Sequence, residues 1–125
     1  MELAKVGYSD GPVGLTGFHA RPSAPPRAAV IIYPTFMNST PAVEAKARQL
    51  VDSGFAVLIA DYYGAEAPST IDEAFTATRK LRSDPQAMRQ RFRAALGLLQ
   101  RLEPSAPHLA IGFCLGGMAV LEMAR

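Results

Sequence analysis

Residues 108–119 read HLAIGFCLGGMA, and the rest of the chain is best understood outward from them. The first half is apolar and strand-sized, and a helix is expected to open at Leu115. Between them stands Gly112-Phe113-Cys114-Leu115-Gly116, the pattern G-x-C-x-G. A strand that turns sharply into a helix through such a pentapeptide lifts its central side chain above the sheet in a strained backbone conformation. The residues two before and two after come so close that a side chain at either would clash, hence Gly112 and Gly116. Cys114 is therefore a candidate nucleophile, and the N–H of Leu115 points to where an oxyanion would form. A second donor is expected from the loop after the third strand, YPTFMNS (33–39), with Phe36 N–H as the candidate.

Two plainer readings compete. A lone cysteine is commonly a small buried apolar residue. The glycines could also cradle a phosphate, but that needs Lys and Ser or Thr at 118 and 119, where Met118 and Ala119 stand. A strand before, a helix after and glycines on both flanks favour the nucleophile.

Upstream, AVIIY (29–33) and FAVLIAD (55–61) are continuous apolar runs of the kind that forms strands buried on both faces. Between them a helix is predicted from Thr40 as N-cap and Pro41 at its first position, with Glu44 in the first turn. Val43, Ala47, Leu50 and Val51 share its inner face, and Gly54 closes it. Further helices are expected over 71–82 and 85–102. The second has Asp84 as N-cap and Met88, Phe92, Leu96 and Leu99 as its buried stripe. Two strands at 2–8 and 14–21, joined by the turn formers SDGPVG, would extend one edge of the sheet in antiparallel fashion. The alternation of strand and helix argues for an α/β protein with a mostly parallel sheet flanked by helices. A chain of 125 residues is one domain's worth of protein, so residues 1–125 are taken as a single unit.

Composition narrows the function classes. Thirteen Lys and Arg against eleven Asp and Glu leave a net charge of +2, with no long basic run, so nucleic-acid binding is not expected. The apolar runs are far short of a membrane span, and the N-terminus lacks the apolar core of a secretory signal. With a single Cys there is no internal disulfide framework and no cysteine-rich metal site. A cytoplasmic protein is the expectation.

The segment AVIIYPTFMNSTPAVEAKARQLVDSGFAVLIADYYG, followed by IGFCLGGMAV, resembles the dienelactone hydrolase family, whose members are cysteine-nucleophile α/β-hydrolases. The resemblance covers most of the chain. It implies cleavage of esters or lactones through a Cys–His–Asp triad, without metal or organic cofactor, with Cys114 as nucleophile and Phe36 and Leu115 as backbone oxyanion donors. Two positions depart from the family pattern. Thr35 stands where the best-studied members carry a Glu, and Ala65 and Glu66 stand where an Arg would bind a substrate carboxylate. The second departure argues against an anionic dienelactone as substrate.

The resemblance also implies a triad Asp and His on strands beyond the nucleophile helix, and this chain contains no such strands. His108 opens the strand that Cys114 follows, roughly 20 Å away at 3.3 Å per residue. His19 is expected in the second strand as a solvated or packed residue. Asp61 ends its strand at the same rim as Cys114, where a carboxylate more often caps a loop. The triad is thus incomplete here. The chain is expected to be the N-terminal part of a longer hydrolase, to borrow the missing groups from another chain, or not to turn over. The open sheet edge favours association, a homodimer included. The main alternative is a non-catalytic module that binds a protein partner through that edge. A redox-sensing thiol is weaker, since no resolving cysteine is present.

Overall fold

The computed structural model describes residues 2–125. Its elements run β1 (Ala4–Asp10), β2 (Val13–Ala20), β3 (Ala29–Tyr33), α1 (Pro41–Asp52), β4 (Ala56–Ile59), α2 (Ile71–Arg82), α3 (Pro85–Leu102), β5 (His108–Gly112) and α4 (Leu115–Ala124), with a short 3-10 turn at Gly64–Glu66.

The five strands form one sheet in the order β1-β2-β4-β3-β5. β3 lies between β4 and β5 and is parallel to both. β2 runs antiparallel to β4, and β1 antiparallel to β2 at the edge. The expected antiparallel extension by the opening hairpin is therefore present, two residues later in β1 than the turn formers suggest. Asp10 pairs with Val13, so only Gly11 and Pro12 form the turn, with Gly11 at φ 55°. Ser9, Asp10 and Gly14 belong to strands because pairing, rather than local turn propensity, sets the boundary. β4 is correspondingly shorter than the run 55–61.

Side chains alternate across β3 and β4. Val30, Ile32, Val57 and Ile59 point to one face and meet Val43, Ala47 and Val51 of α1. Ala29, Ile31, Tyr33, Ala56 and Leu58 point to the other and meet Met88, Phe92, Ala95, Leu98 and Leu99 of α3 and Ala119 of α4. Both helices begin at the predicted caps. Thr40 accepts from Val43 N at 3.3 Å, and Asp84 accepts from Ala87 N at 3.2 Å. Leu50 and Leu96 are only partly buried, while Ala95 and Leu98 widen the inner stripe of α3. Among the described residues no helix is long and apolar enough to cross a membrane.

This layering brings three loops to one rim, at the carboxyl ends of the parallel strands β3, β4 and β5.

Candidate active site

The loop after β5 is a tight elbow. Cys114 has φ 53° and ψ −112°, a region that residues with a Cβ rarely enter. The turn is enforced by contacts on both sides. Phe113 N–H donates to Tyr33 O at 3.0 Å, Gly116 N–H to Phe113 O at 2.8 Å and Gly117 N–H to Cys114 O at 2.9 Å. A Cβ on Gly112 would run into the Gly116 carbonyl, and one on Gly116 into the Tyr33 carbonyl. The thiol is exposed, so it is not the small buried apolar group that the plainer reading foresaw. Leu115 N–H, at the first turn of α4, donates to no acceptor among the described residues.

The loop after β3 follows Tyr33, which pairs with Gly112, so residues 34–38 lie beside the elbow. Thr35 builds this turn. Its hydroxyl donates to Asn38 O at 3.0 Å and accepts from Met37 N at 3.1 Å, and Asn38 N–H donates to Thr35 O at 2.9 Å. Asn38 takes a positive φ of 65°, which its short amide tolerates. The Phe36 ring stacks edge-on against Phe75 of α2, with centroids 5.2 Å apart. Phe36 N–H, like that of Leu115, has no acceptor among the described residues.

The loop after β4 supplies the fastening. Asp61 is 7% exposed and accepts four hydrogen bonds: Thr16 N at 2.9 Å, Asn38 Nδ2 at 2.8 Å, Tyr63 N at 2.9 Å and Gly64 N at 3.0 Å. It caps loops, as the sequence suggests, and every one of those bonds is structural. Tyr62 and Tyr63, which sequence reasoning passed over, reach back to the β3 loop. Tyr62 Oη donates to Pro34 O at 2.7 Å and Tyr63 Oη to Phe36 O at 2.8 Å. Burial pushes both phenols up from their ordinary range, so they remain protonated donors.

Neither histidine joins this rim. His108 Nε2 lies 2.7 Å from Glu103 O, at the opposite end of β5. His19 Nε2 lies 3.1 Å from Glu103 Oε2, a carboxylate that Arg21 also grips through two nitrogens at 3.1 Å. Cys114, Phe36 and Leu115 are thus brought to one edge, while His19 and His108 are held elsewhere.

A cleft of about 770 Å³ opens between the β4 loop, α2 and the start of α3, and Cys114 does not line it. Size does not select it as the reactive site. Several of its charged groups already have partners: Lys80 lies near Glu66, Arg91 Nε donates to Asp10 at 2.8 Å, and Asp84 caps α3. The elbow, by contrast, combines an exposed thiol with unused donors.

No curated protein matches the chain. Among solved structures it is similar to a dienelactone hydrolase-like promiscuous phosphotriesterase from metagenomic libraries, at 31% identity and TM-score 0.89, covering 98% of this chain and 53% of that one. It is also similar to the esterase domain of a Rhodothermus marinus protein, at 26% identity and TM-score 0.66, covering 97% and 44% of the two chains. A dienelactone hydrolase from Anabaena variabilis shares the fold at 24% identity and TM-score 0.74, with 97% and 56% covered. The chain spans about half the length of these relatives. The dienelactone hydrolase family model matches residues 15–125. On this match, with a sheet and helices arranged as in the α/β-hydrolase fold, the chain belongs to the dienelactone hydrolase family.

Proposed function

We propose that this chain carries the nucleophile-bearing part of a hydrolase for carboxylic esters or lactones, with Cys114 as nucleophile and Phe36 and Leu115 N–H as oxyanion donors. One observation carries the reading. An exposed thiol is held at φ 53° and ψ −112° on a strand-to-helix turn, next to two backbone N–H groups with no other acceptor among the described residues.

The Cys114 thiolate attacks the ester carbonyl carbon, and the carbonyl electron pair moves to oxygen, where the two N–H groups stabilise it. Collapse re-forms the carbonyl, expels the alkoxide and leaves a thioester; the alkoxide takes a proton as it departs. Water then attacks the thioester and releases the acid and the thiol. A single oxyanion donor contributes about 10²- to 10³-fold in such reactions. The family resemblance implies a His base oriented by an Asp. Neither His19 nor His108 reaches the elbow, and the proposal assigns no residue of this chain to that role.

Thr35 is consumed in building its turn, and Glu66 is 82% exposed in its side chain. With no cation in the Ala65–Glu66 loop to receive a carboxylate, neutral esters or lactones are the supported substrates. The similarity to a phosphotriesterase makes a neutral phosphate triester the second substrate to assay.

The test is incubation with p-nitrophenyl acetate, followed by peptide mass spectrometry. The expected result is an acetyl group on Cys114 with a near-stoichiometric burst of p-nitrophenolate, both abolished by Cys114→Ala. Turnover undiminished in Cys114→Ala would refute the assignment.

A further inference from the structure

We infer that Tyr62 and Tyr63 are positioning residues for the Phe36 N–H, their hydroxyls fixing the peptide groups on either side of it before any substrate arrives. The inference rests on the proposed role of that N–H.

The argument follows the loop peptide by peptide. The group joining Thr35 to Phe36 is planar, so its N–H points opposite to the Thr35 carbonyl, and that carbonyl accepts from Asn38 N at 2.9 Å. This local bond sets the direction of the N–H within the turn. It does not stop the whole turn from rocking against the sheet. The preceding peptide is held by Tyr62 through Pro34 O, and the following one by Tyr63 through Phe36 O. Three consecutive carbonyls are therefore engaged, and the two outer anchors come from another strand's loop.

The proton order along the chain is determined. A carbonyl oxygen only accepts, so the Tyr63 proton lies toward Phe36 O. Its phenolic oxygen is then free to accept from the Thr78 hydroxyl at 3.3 Å. The Asn38 side chain adds a further tie, donating to Asp61 and accepting from Tyr62 N at 3.0 Å. A buried tyrosine needs some acceptor for its hydroxyl. Here two adjacent tyrosines take alternate carbonyls of one short loop, and the Phe36 N–H that lies between those carbonyls has no acceptor among the described residues.

Without either hydroxyl the donor would remain but would be loosely aimed. A misplacement of about 1 Å lowers rates about 10²-fold, and outright loss of a donor about 10²- to 10³-fold. Tyr62→Phe and Tyr63→Phe should therefore lower the rate of Cys114 acylation by p-nitrophenyl acetate by about tenfold to a hundredfold, with KM little changed.

The protein is assayed as its gene encodes it, with two reagents side by side. Iodoacetamide alkylates the same thiol by displacement at a saturated carbon and forms no oxyanion. The expected result is slowed acylation with unchanged alkylation. Acylation that falls only in step with alkylation would show a merely structural role and overturn the inference, as would acylation that does not fall. Should the buried Tyr62→Phe variant fail to fold, Thr78→Val removes the donor to Tyr63 and should show the same split, severalfold in size. A wild-type protein without Cys114-dependent acylation overturns both readings. Wild-type acylation that both tyrosine variants retain overturns this one alone.

Discussion

Replacing Cys114 by glycine should make the protein more stable while removing its reactive thiol. The reason lies in the backbone of the elbow. At φ 53° and ψ −112° a Cβ crowds its own peptide groups, and a residue held in such a region stores about 1–3 kcal/mol. Glycine releases that strain. Its opposing effect is a larger unfolded-state entropy, about 0.4–1 kcal/mol. The thiol is exposed, so its removal alters burial by less than about 0.5 kcal/mol. Cys114→Ala is the proper control, since it removes the sulfur and keeps the Cβ. Cys114→Gly should thus exceed Cys114→Ala by about 0.5–2 kcal/mol in urea unfolding, read from midpoints at a common m value. A glycine variant no more stable than the alanine variant would mean that the elbow carries no strain at Cys114, and the reasoning from its backbone angles would have to be abandoned.

Other perturbations separate the remaining interactions. Glu103 is 3% exposed; burial disfavours its charge, but hydrogen bonds from Arg21 and His19 outweigh this and hold its carboxyl below the usual range. A lowered folded pKa stabilises the fold above the ordinary carboxylate range and ceases to do so as pH falls through the folded value, so stability should decline on acidification from roughly pH 5 to 3. Glu103→Gln should weaken the protein by about 1–3 kcal/mol at neutral pH and flatten that decline; parallel pH curves for the two proteins would contradict this. A polypeptide of residues 1–125 alone should self-associate, because β5 is an edge strand with Leu109 51% and Leu121 70% exposed nearby. Light scattering that shows a monomer at every concentration would count against it.

The parts of the fold that announce themselves in sequence are those governed by local chemistry. Thr40 with Pro41 and Asp84 with Pro85 mark helix starts because cap and first-turn residues act within four positions of each other. AVIIY betrays a strand because burial on both faces leaves no polar position in it. The elbow at Cys114 is legible because the glycine spacing encodes it, and the loop of Phe36 is found because it follows the third strand. The hairpin boundary escaped because the partner strand decides it. Tyr62, Tyr63 and Asn38 escaped for a related reason. Their bonds join loops from different strands and leave no periodicity in the sequence. The hint was DYYG itself, two hydroxyl-bearing aromatics directly after a buried strand, where a hydroxyl must find a distant acceptor.

The order of the strands has a consequence for how the chain comes together during synthesis. β3 is the hub of the parallel sheet, yet its two neighbours arrive at very different times. β4 follows after one helix, so that pairing closes a modest loop and forms early. β5 is made only after β4, α2 and α3, and its pairing with β3 closes most of the chain. Until His108–Gly112 emerges, the other edge of the most apolar strand in the protein stands bare, and long-range parallel pairing of this kind is slow. The elbow is the last piece of this rim to form. The strand that carries Cys114 into place is thus also the one that covers the bare edge of β3, so slowing its docking should lower the yield of folded protein before it affects the stability of what has folded.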